Sequence, residues 1–328
     1  MSKRRITKQQ QIRIKTKQQR YYQQSTNNQA CADSSIAQEL GLVIRSFGRK
    51  AEIETKSQQR ILCSIRTHIE TIVAGDTVIW QATEKDYGVI LSCAPRQSVL
   101  TRPDKHKTAK PIAANISQMM IVVAPIPEIS WLLLDSYLVM AETTGIKPCI
   151  ILNKADLPHE AIYRELQRTY LPLGYTILTL SQLTPNSYPI LEKKLAGETS
   201  VFVGQSGVGK SSIISTLLPH ESIAIAPISD SAQLGCHTTT NSQYYHLPHG
   251  GALIDSPGIR SLHLGAISKE AILYGFKELK NLARKCKFSN CNHNATTPHC
   301  AVQQALAEHQ VSQRRYDNLF YLFNKVSE

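Results

Sequence analysis

The stretch GQSGVGKSS at residues 204–212 decides the fold of this chain. It follows the apolar run SVFV and precedes the apolar run SIISTLL, so a strand, a glycine-rich loop and a helix succeed one another as a P-loop requires. The glycines let the backbone amides point at a phosphate, while the lysine neutralises the β- and γ-phosphates and the serine after it ligates Mg²⁺. The predicted nucleotide-binding residues are Gly204, Gln205, Ser206, Gly207, Val208, Gly209, Lys210, Ser211 and Ser212, and Lys210 is also a catalytic candidate.

Long apolar runs around this stretch indicate the sheet that carries it. The runs QMMIVVA (118–124), KPCIILN (147–153), GYTILTL (174–180) and TSVFVG (199–204) are continuous, as in strands that are buried on both faces. Helical stretches such as ISWLLLDSYLVMAETTG separate them. This alternation predicts a mostly parallel α/β sheet, which binds its ligand at the C-terminal ends of the strands.

The segment ILNKAD follows the second of these runs and carries an Asn-Lys-x-Asp pattern, formed by Asn153, Lys154 and Asp156. A carboxylate at this place accepts hydrogen bonds from N1–H and the 2-amino group of guanine, whereas adenine has no such pair of donors. The pattern therefore favours GTP over ATP.

Two later segments complete a predicted GTP site. DSPG at 255–258 follows the apolar run ALI, where Asp255 would hold Mg²⁺ through water and the Gly258 amide would contact the γ-phosphate, as in switch II. GCHTTT at 235–240 offers a threonine hydroxyl to Mg²⁺, as in switch I. Thr239 is the candidate, with Thr238 and Thr240 as alternatives.

The order of these motifs is unusual. GTPases ordinarily present the P-loop first and Asn-Lys-x-Asp last, whereas Asn153 precedes Gly204 here. The sequence therefore predicts a circularly permuted GTPase domain at 101–268. In this order the chain leaves the GTPase core soon after switch II, so the next domain is tied to a nucleotide-sensing loop.

The N-terminal third has a different pattern. The short segments GLVIRSFG, KAEIET, RILCSIR, DTVIWQA and YGVILSCA predict a closed β-barrel at 39–100. We predict an OB-fold, although an SH3-like barrel would look almost the same. Residues 1–38 begin with eight basic and no acidic residues among the first twenty, which predicts a disordered basic arm or a merely solubilising tail.

The segment CKFSNCNHNATTPHC (286–300) predicts a structural zinc site within a helical domain at 269–328. The expected ligands are Cys286, Cys291, His293 and Cys300, with His299 as a competing nitrogen ligand and a metal-free helical tail as the alternative. Arg314 and Arg315 follow on amphipathic helices and would lie on an RNA-facing surface or on a charged solvated face.

Bulk properties limit the possible partners and compartments. A net charge of +12 over 328 residues suggests a polyanionic partner, with nucleic acid as the first candidate. The sequence has no apolar run near the roughly 20 residues of a membrane helix and no secretory signal, so we expect a cytoplasmic protein without a membrane partner. The eight cysteines do not resemble a disulfide framework.

Together, the barrel, the permuted motifs and the Cys-x4-Cys-x-His cluster resemble the bacterial small ribosomal subunit biogenesis GTPases of the RsgA type, over residues 40 to 325. The resemblance implies an OB-fold, a permuted GTPase domain and a C-terminal zinc domain, with GTP as substrate and Mg²⁺ and Zn²⁺ as cofactors. It also implies a protein that acts late in 30S maturation and hydrolyses GTP when that particle stimulates it. We expect this protein to be a monomer and to bind 16S rRNA.

No glutamine directly follows DSPG to orient the attacking water. Ile259 stands where many GTPases have a glutamine that orients water, so unaided hydrolysis should be slow. The resemblance implies His237 for that role, although it could equally pack against or cap switch I. Other functions consistent with the sequence are a translation factor, a large-subunit assembly GTPase and an RNA-binding module with structural GTP. A P-loop kinase would leave Asn153 and Asp156 unexplained.

Overall fold

The computed structural model describes residues 38–103, 109–184, 187–219, 242–255 and 267–327. The predicted basic arm and most of both predicted switch segments lie outside these ranges. The strands are β1 (Gln38–Phe47), β2 (Lys50–Thr55), β3 (Arg60–Ile65), β4 (Thr77–Glu84), β5 (Tyr87–Cys93), β6 (Val99–Pro103), β7 (Ala109–Ala114), β8 (Gln118–Val123), β9 (Lys147–Leu152), β10 (Thr176–Thr179), β11 (Thr199–Gly204), β12 (Gln243–His246) and β13 (Ala252–Asp255). The helices are α1 (Trp131–Thr144), α2 (Glu160–Tyr170), α3 (Tyr188–Leu195), α4 (Lys210–Leu217), α5 (Lys269–Gly275), α6 (Lys277–Ala283), α7 (Ala301–Ala307) and α8 (Gln313–Ser327).

The first strands close into a small barrel. They follow the order β1-β2-β3-β5-β4, and β4 pairs back with β1. The inward side chains fill the barrel, and those of Val43, Ile53, Cys63, Val78 and Ile90 are fully buried. This five-stranded arrangement is an OB-fold and confirms that prediction over the SH3-like alternative.

The GTPase sheet has the spatial order β12-β13-β11-β8-β9-β10. Its strands are parallel except for β12, which is antiparallel to β13 and also pairs with β1 of the barrel through Gln243 and Arg45. The chain enters this sheet at β8 and reaches the P-loop strand β11 only after β9 and β10. The prediction of a permuted α/β domain is confirmed.

Burial on both faces explains the uninterrupted apolar sequence of β8. Met119 and Ile121 belong to a core that α1 and α2 cover, whereas Met120 and Val122 belong to a core that α3 and α4 cover. The central strands are therefore fixed from both sides, which holds the loops at their C-terminal ends in place.

Strands β6 and β7 form a separate antiparallel hairpin that the sequence patterns did not predict. The hairpin crosses residue 100, where the sequence places the end of the barrel. The division of the chain at residues 38, 100 and 268 stays a prediction.

The last four helices form a C-terminal unit that packs against α1 of the GTPase core. The two parts approach closely at Gly275, because a Cβ there would lie 2.7 Å from Cα of Val139. Ile272, Phe276 and Leu279 are fully buried in the same cluster as Val139. In the described ranges, no helix is both long enough and apolar enough to cross a membrane.

The expectation that Arg315 lies on a surface was wrong. Its guanidinium is buried between the carboxylates of Asp135 on α1 and Glu278 on α6, and the residue is 1% exposed. Burial disfavours the charged form, but the two carboxylates outweigh this effect and raise the pKa of Arg315. Arg314 is partly exposed, covers the ring of Trp131 and pairs with a glutamate of α2. Both arginines therefore hold α8 to the GTPase core.

Candidate GTP site and metal centre

The predicted GTP motifs meet at one edge of the sheet. Strand register aligns Gly204 of β11 with Val122 of β8, and the next residue, Val123, with Leu152 of β9. The P-loop after β11 and Asn-Lys-x-Asp after β9 therefore lie side by side. Asp255 ends β13, which pairs with β11 on its other side.

The P-loop has a backbone suited to surrounding a phosphate. The φ angles are +142° at Gly204, +79° at Gly207 and +96° at Gly209, a region that residues with a Cβ rarely adopt. Lys210 begins α4 and is 7% exposed, and its Nζ donates to the carbonyl oxygens of Gly204 (2.7 Å) and Gln205 (2.6 Å). The ammonium group thus lies within the loop, where it can neutralise phosphate charge.

Asn153 connects the base-recognition segment to the P-loop. Its Nδ2 donates to the carbonyl of Val208 over 2.9 Å, and a Cβ at Gly209 would lie 2.3 Å from this nitrogen. The two motifs therefore require a glycine at 209. The Oδ1 of Asn153 is buried and has no hydrogen-bond partner in the described part of the chain, so it offers an acceptor to a ligand donor.

Asp156 is exposed, and its carboxylate is held by Ser181, a residue that the sequence patterns did not single out. The Ser181 hydroxyl donates to Oδ1, and this bond, followed by the backbone amide of Asp156, lowers the pKa of Asp156. The carboxylate is therefore ionised at neutral pH and oriented before a base arrives. Ser181 follows β10, the neighbour of β9, so its position at the end of a buried strand was the available signal.

Lys154 acts on the loop rather than on the base edge. Its Nζ donates to the carbonyl oxygens of Gly207 (2.7 Å) and Ile126 (2.8 Å). The side chain therefore binds the P-loop to the segment that follows β8.

Gln205 makes a second connection of this kind. Its Oε1 accepts from the backbone N–H of Ser130 (2.8 Å), and its Nε2 donates to the carbonyl of Glu128 (3.1 Å). Ser130 caps the N-terminus of α1 with its own hydroxyl. The P-loop is thus joined to the start of α1. This helix carries Asp135, and the C-terminal unit packs against it.

Some of the other predicted site residues lie within the described residues, and some lie outside them. Ser206 is exposed in the P-loop, Val208 is buried, and Ser211 and Ser212 lie half-buried in the first turn of α4. Gly258, Thr239 and His237 lie outside the described residues.

The predicted zinc ligands Cys286, Cys291, His293 and Cys300 form one cluster, with all donor atoms within 4.8 Å of one another. The Sγ atoms of Cys286 and Cys300 are 3.8 Å apart, and they lie 3.5 Å and 3.6 Å from Nδ1 of His293. Zn–S bonds of about 2.3 Å and Zn–N bonds of about 2.0–2.1 Å give tetrahedral edges of about 3.8 Å and 3.6 Å. The residues therefore fit a tetrahedral zinc ion.

His293, and not His299, supplies the nitrogen of this cluster. His293 is 6% exposed, and burial lowers its pKa, which keeps the imidazole in the neutral form that binds metals. His299 adjoins Cys300 in sequence but does not belong to this cluster.

A P-loop beside Asn-Lys-x-Asp, on a sheet that the chain enters at β8, defines a circularly permuted P-loop GTPase. Here a barrel precedes it and a helical unit with a Cys3His cluster follows it. The sequence model of the RsgA GTPase family matches residues 93–265 of this chain. The chain is also 41% identical to the small ribosomal subunit biogenesis GTPase RsgA of Photorhabdus laumondii over 340 residues, which is 100% of this chain and 97% of the relative. The chain belongs to the RsgA GTPase family and is a GTP hydrolase.

Further relatives agree with this assignment. RsgA 1 of Vibrio vulnificus is 42% identical over 296 residues, covering 88% of this chain and 84% of the relative. The crystal structure of YjeQ from Thermotoga maritima matches with a TM-score of 0.73 and 30% identity, over 88% of this chain and 99% of that one. YloQ, described as a circularly permuted GTPase, matches with a TM-score of 0.71 and 27% identity, over 91% and 98% of the two chains.

Proposed function

We propose that this GTPase assists late maturation of the 30S ribosomal subunit, binds 16S rRNA, and leaves the particle after GTP hydrolysis. The observation that carries the proposal is the full-length match to relatives named for small ribosomal subunit biogenesis. These names favour the small subunit over the large subunit, over a translation factor and over an RNA-binding module with structural GTP. We further propose that the protein acts in the cytoplasm as a monomer.

Within this proposal, the described residues bind GTP in three groups. The P-loop residues 204–212 surround the phosphates, Asn153 and Asp156 recognise guanine, and Ser211 and Asp255 hold Mg²⁺ directly or through water. Bound Mg²⁺ would supply charge neutralisation at the β- and γ-phosphates. The Ser211 hydroxyl in the first turn of α4 and the Asp255 carboxylate at the end of β13 are oxygen donors, which suit this hard cation. Thr239, Gly258 and the catalytic candidate His237 would complete the site from the segments that the structure does not describe.

The switch would act through the C-terminal unit. Residues 256–267 connect Asp255 to Ser268, which caps α5 of that unit. The same unit packs on α1, whose start is held by the P-loop residue Gln205. We therefore infer that GTP fixes the position of the C-terminal unit relative to the barrel, in an arrangement that fits the 30S particle.

This switch predicts nucleotide-dependent affinity for the particle. Sedimentation of the protein with 30S subunits should show binding at least about tenfold tighter with a non-hydrolysable GTP analogue than with GDP, because only differential affinity shifts an equilibrium. The binding should also weaken steeply with salt, since Lys and Arg contact phosphates. Equal affinity in the two nucleotide states would disprove the switch.

Zinc is the metal that we propose for the Cys3His cluster, in a structural role, because four protein ligands leave no open position. Replacing His293 with alanine should lower the zinc content of the purified protein well below one ion per chain and destabilise the C-terminal unit. His299→Ala provides the matched control and should retain about one zinc, as measured by plasma mass spectrometry. Zinc loss in His299→Ala with retention in His293→Ala would reverse the ligand assignment.

A further inference from the structure

A groove of 1020 Å³ lies on the C-terminal unit beside the metal cluster. It is lined by α5, α6 and α8 and by the loop between Arg284 and Asn294, which carries three of the cluster residues. Its volume is at the upper end of the roughly 300–1,000 Å³ that is typical of small-molecule pockets, so it suits a chain segment rather than a single small group.

The groove has an excess of positive charge. Lys269, Lys280, Arg284 and Lys287 line it, together with one carboxylate, that of Glu270. Among the residues that the structure describes, none of these four cations forms an ion pair. Uncompensated cations in a concave surface raise the local potential and attract a polyanion.

Exposed aromatic rings lie between these cations. Tyr274 is 50% exposed and Phe288 is 44% exposed, and both line the groove. The Nζ of Lys280 lies 3.4 Å from the centre of the Tyr274 ring, and the Nζ of Lys287 lies 5.7 Å from that of Phe288. Lys280 therefore covers one face of the Tyr274 ring, so a base would stack on the opposite face, or on this face once the flexible lysine moves to a phosphate.

We propose that this groove binds an unpaired RNA segment, with bases stacked on Tyr274 and Phe288 and phosphates bound by the surrounding cations. The inference rests on the proposed function, which makes RNA the polyanion. Unpaired RNA is favoured over a duplex because stacking on a side chain needs base faces that pairing within a helix hides. Phe288 and Lys287 lie between Cys286 and Cys291, in the loop that forms one wall of the groove.

The test is binding of the full chain to a fluorescent mixed-sequence single-stranded RNA oligonucleotide and to a blunt duplex of the same sequence. Tyr274→Ala and Phe288→Ala should each weaken single-strand binding by about 5- to 150-fold, the usual effect of removing one stacking partner. Tyr274→Phe should bind normally. Tyr321→Ala is the matched control, because Tyr321 is 54% exposed on α8 but lies outside the groove.

Cross-linking separates this groove from other basic surfaces. RNA that contains 4-thiouridine should cross-link to peptides within 269–294, and the cross-link should be lost in Tyr274→Ala and Phe288→Ala. Losses no larger than that of Tyr321→Ala, with no cross-link in 269–294, would overturn the proposal. Equal losses on single strand and duplex would also overturn it, because they would show binding by charge without stacking.

The proposed function has an independent readout, namely GTP turnover by the wild-type protein with 30S subunits. Stimulated turnover together with a negative RNA result would disprove RNA binding in the groove and leave the proposed function in place. A positive RNA result without stimulated turnover would support RNA binding in the groove and disprove the proposed ribosomal function.

Discussion

Replacing Asp156 with asparagine is expected to exchange guanine specificity for xanthine specificity. The carboxylate accepts from N1–H and the 2-amino group of guanine, whereas an asparagine amide can accept one hydrogen bond and donate the other. Xanthine has a carbonyl at C2 in place of the amino group and therefore matches asparagine. We expect GTP affinity to fall at least about 100-fold and XTP to become the better ligand, as fluorescence titration of the two nucleotides would show.

The control for this exchange is Asp156→Ala, which should lose GTP without gaining XTP. Ser181→Ala should cause a smaller loss of GTP affinity, because it frees the carboxylate without removing it. An Asp156→Asn protein that still prefers GTP to XTP would show that the carboxylate does not determine guanine specificity.

The second large effect concerns the buried arginine at the interface between the GTPase core and the C-terminal unit. Arg315→Met would leave the carboxylate of Asp135, which is 0% exposed, without its cation. Tyr170 and Asn318 also donate to Asp135, over 2.8 Å and 2.6 Å, but both are neutral. Removing one partner of a buried ion pair costs about 3–5 kcal/mol, so we expect a loss of this size in the free energy of unfolding.

Urea unfolding can measure this loss at the interface itself. The chain has two tryptophans, and Trp131 lies under Arg314 at this interface while Trp80 lies in the barrel. A Trp80→Phe background therefore makes fluorescence report on the interface. Arg168→Met, which removes an 80% exposed cation of a surface pair, should change stability by no more than about 0.5 kcal/mol. An equally small effect of Arg315→Met would contradict the account of the interface.

Local patterns were sufficient to predict most of the architecture. Continuous apolar runs identified β8 to β11 because strands buried on both faces need no polar side. The P-loop glycines identified the turn from β11 to α4, because left-handed φ angles exclude most other residues there. The Cys3His cluster was also predictable, since Cys286, Cys291 and Cys300 lie close together in sequence.

What could not be predicted depends on partners that are distant in sequence. Arg315 and Asp135 are 180 positions apart, and the sequence around each one is that of an ordinary polar residue in a helix. Ser181 gains its role only because β10 pairs with β9 and brings it to Asp156. The sequence pattern of strands β6 and β7 does not distinguish this separate hairpin from the barrel strands that precede it.

These distant contacts connect the nucleotide site to the C-terminal unit. Gln205 of the P-loop holds the first residues of α1, and Asp135 on the same helix holds Arg315 of α8. We therefore propose that a change in the P-loop reaches the C-terminal unit through α1, in addition to the chain connection after Asp255.

The most direct test of a small-subunit GTPase is GTP turnover by the purified protein alone, with 30S subunits and with 50S subunits. We predict slow turnover alone and at least about tenfold stimulation by 30S subunits only, because an activator that completes a GTPase site accelerates it strongly. Lys210→Ala, which removes the ammonium group that we propose to neutralise the phosphates, should stay inactive throughout. Absence of stimulation by either subunit, or equal stimulation by 50S subunits, would contradict the account.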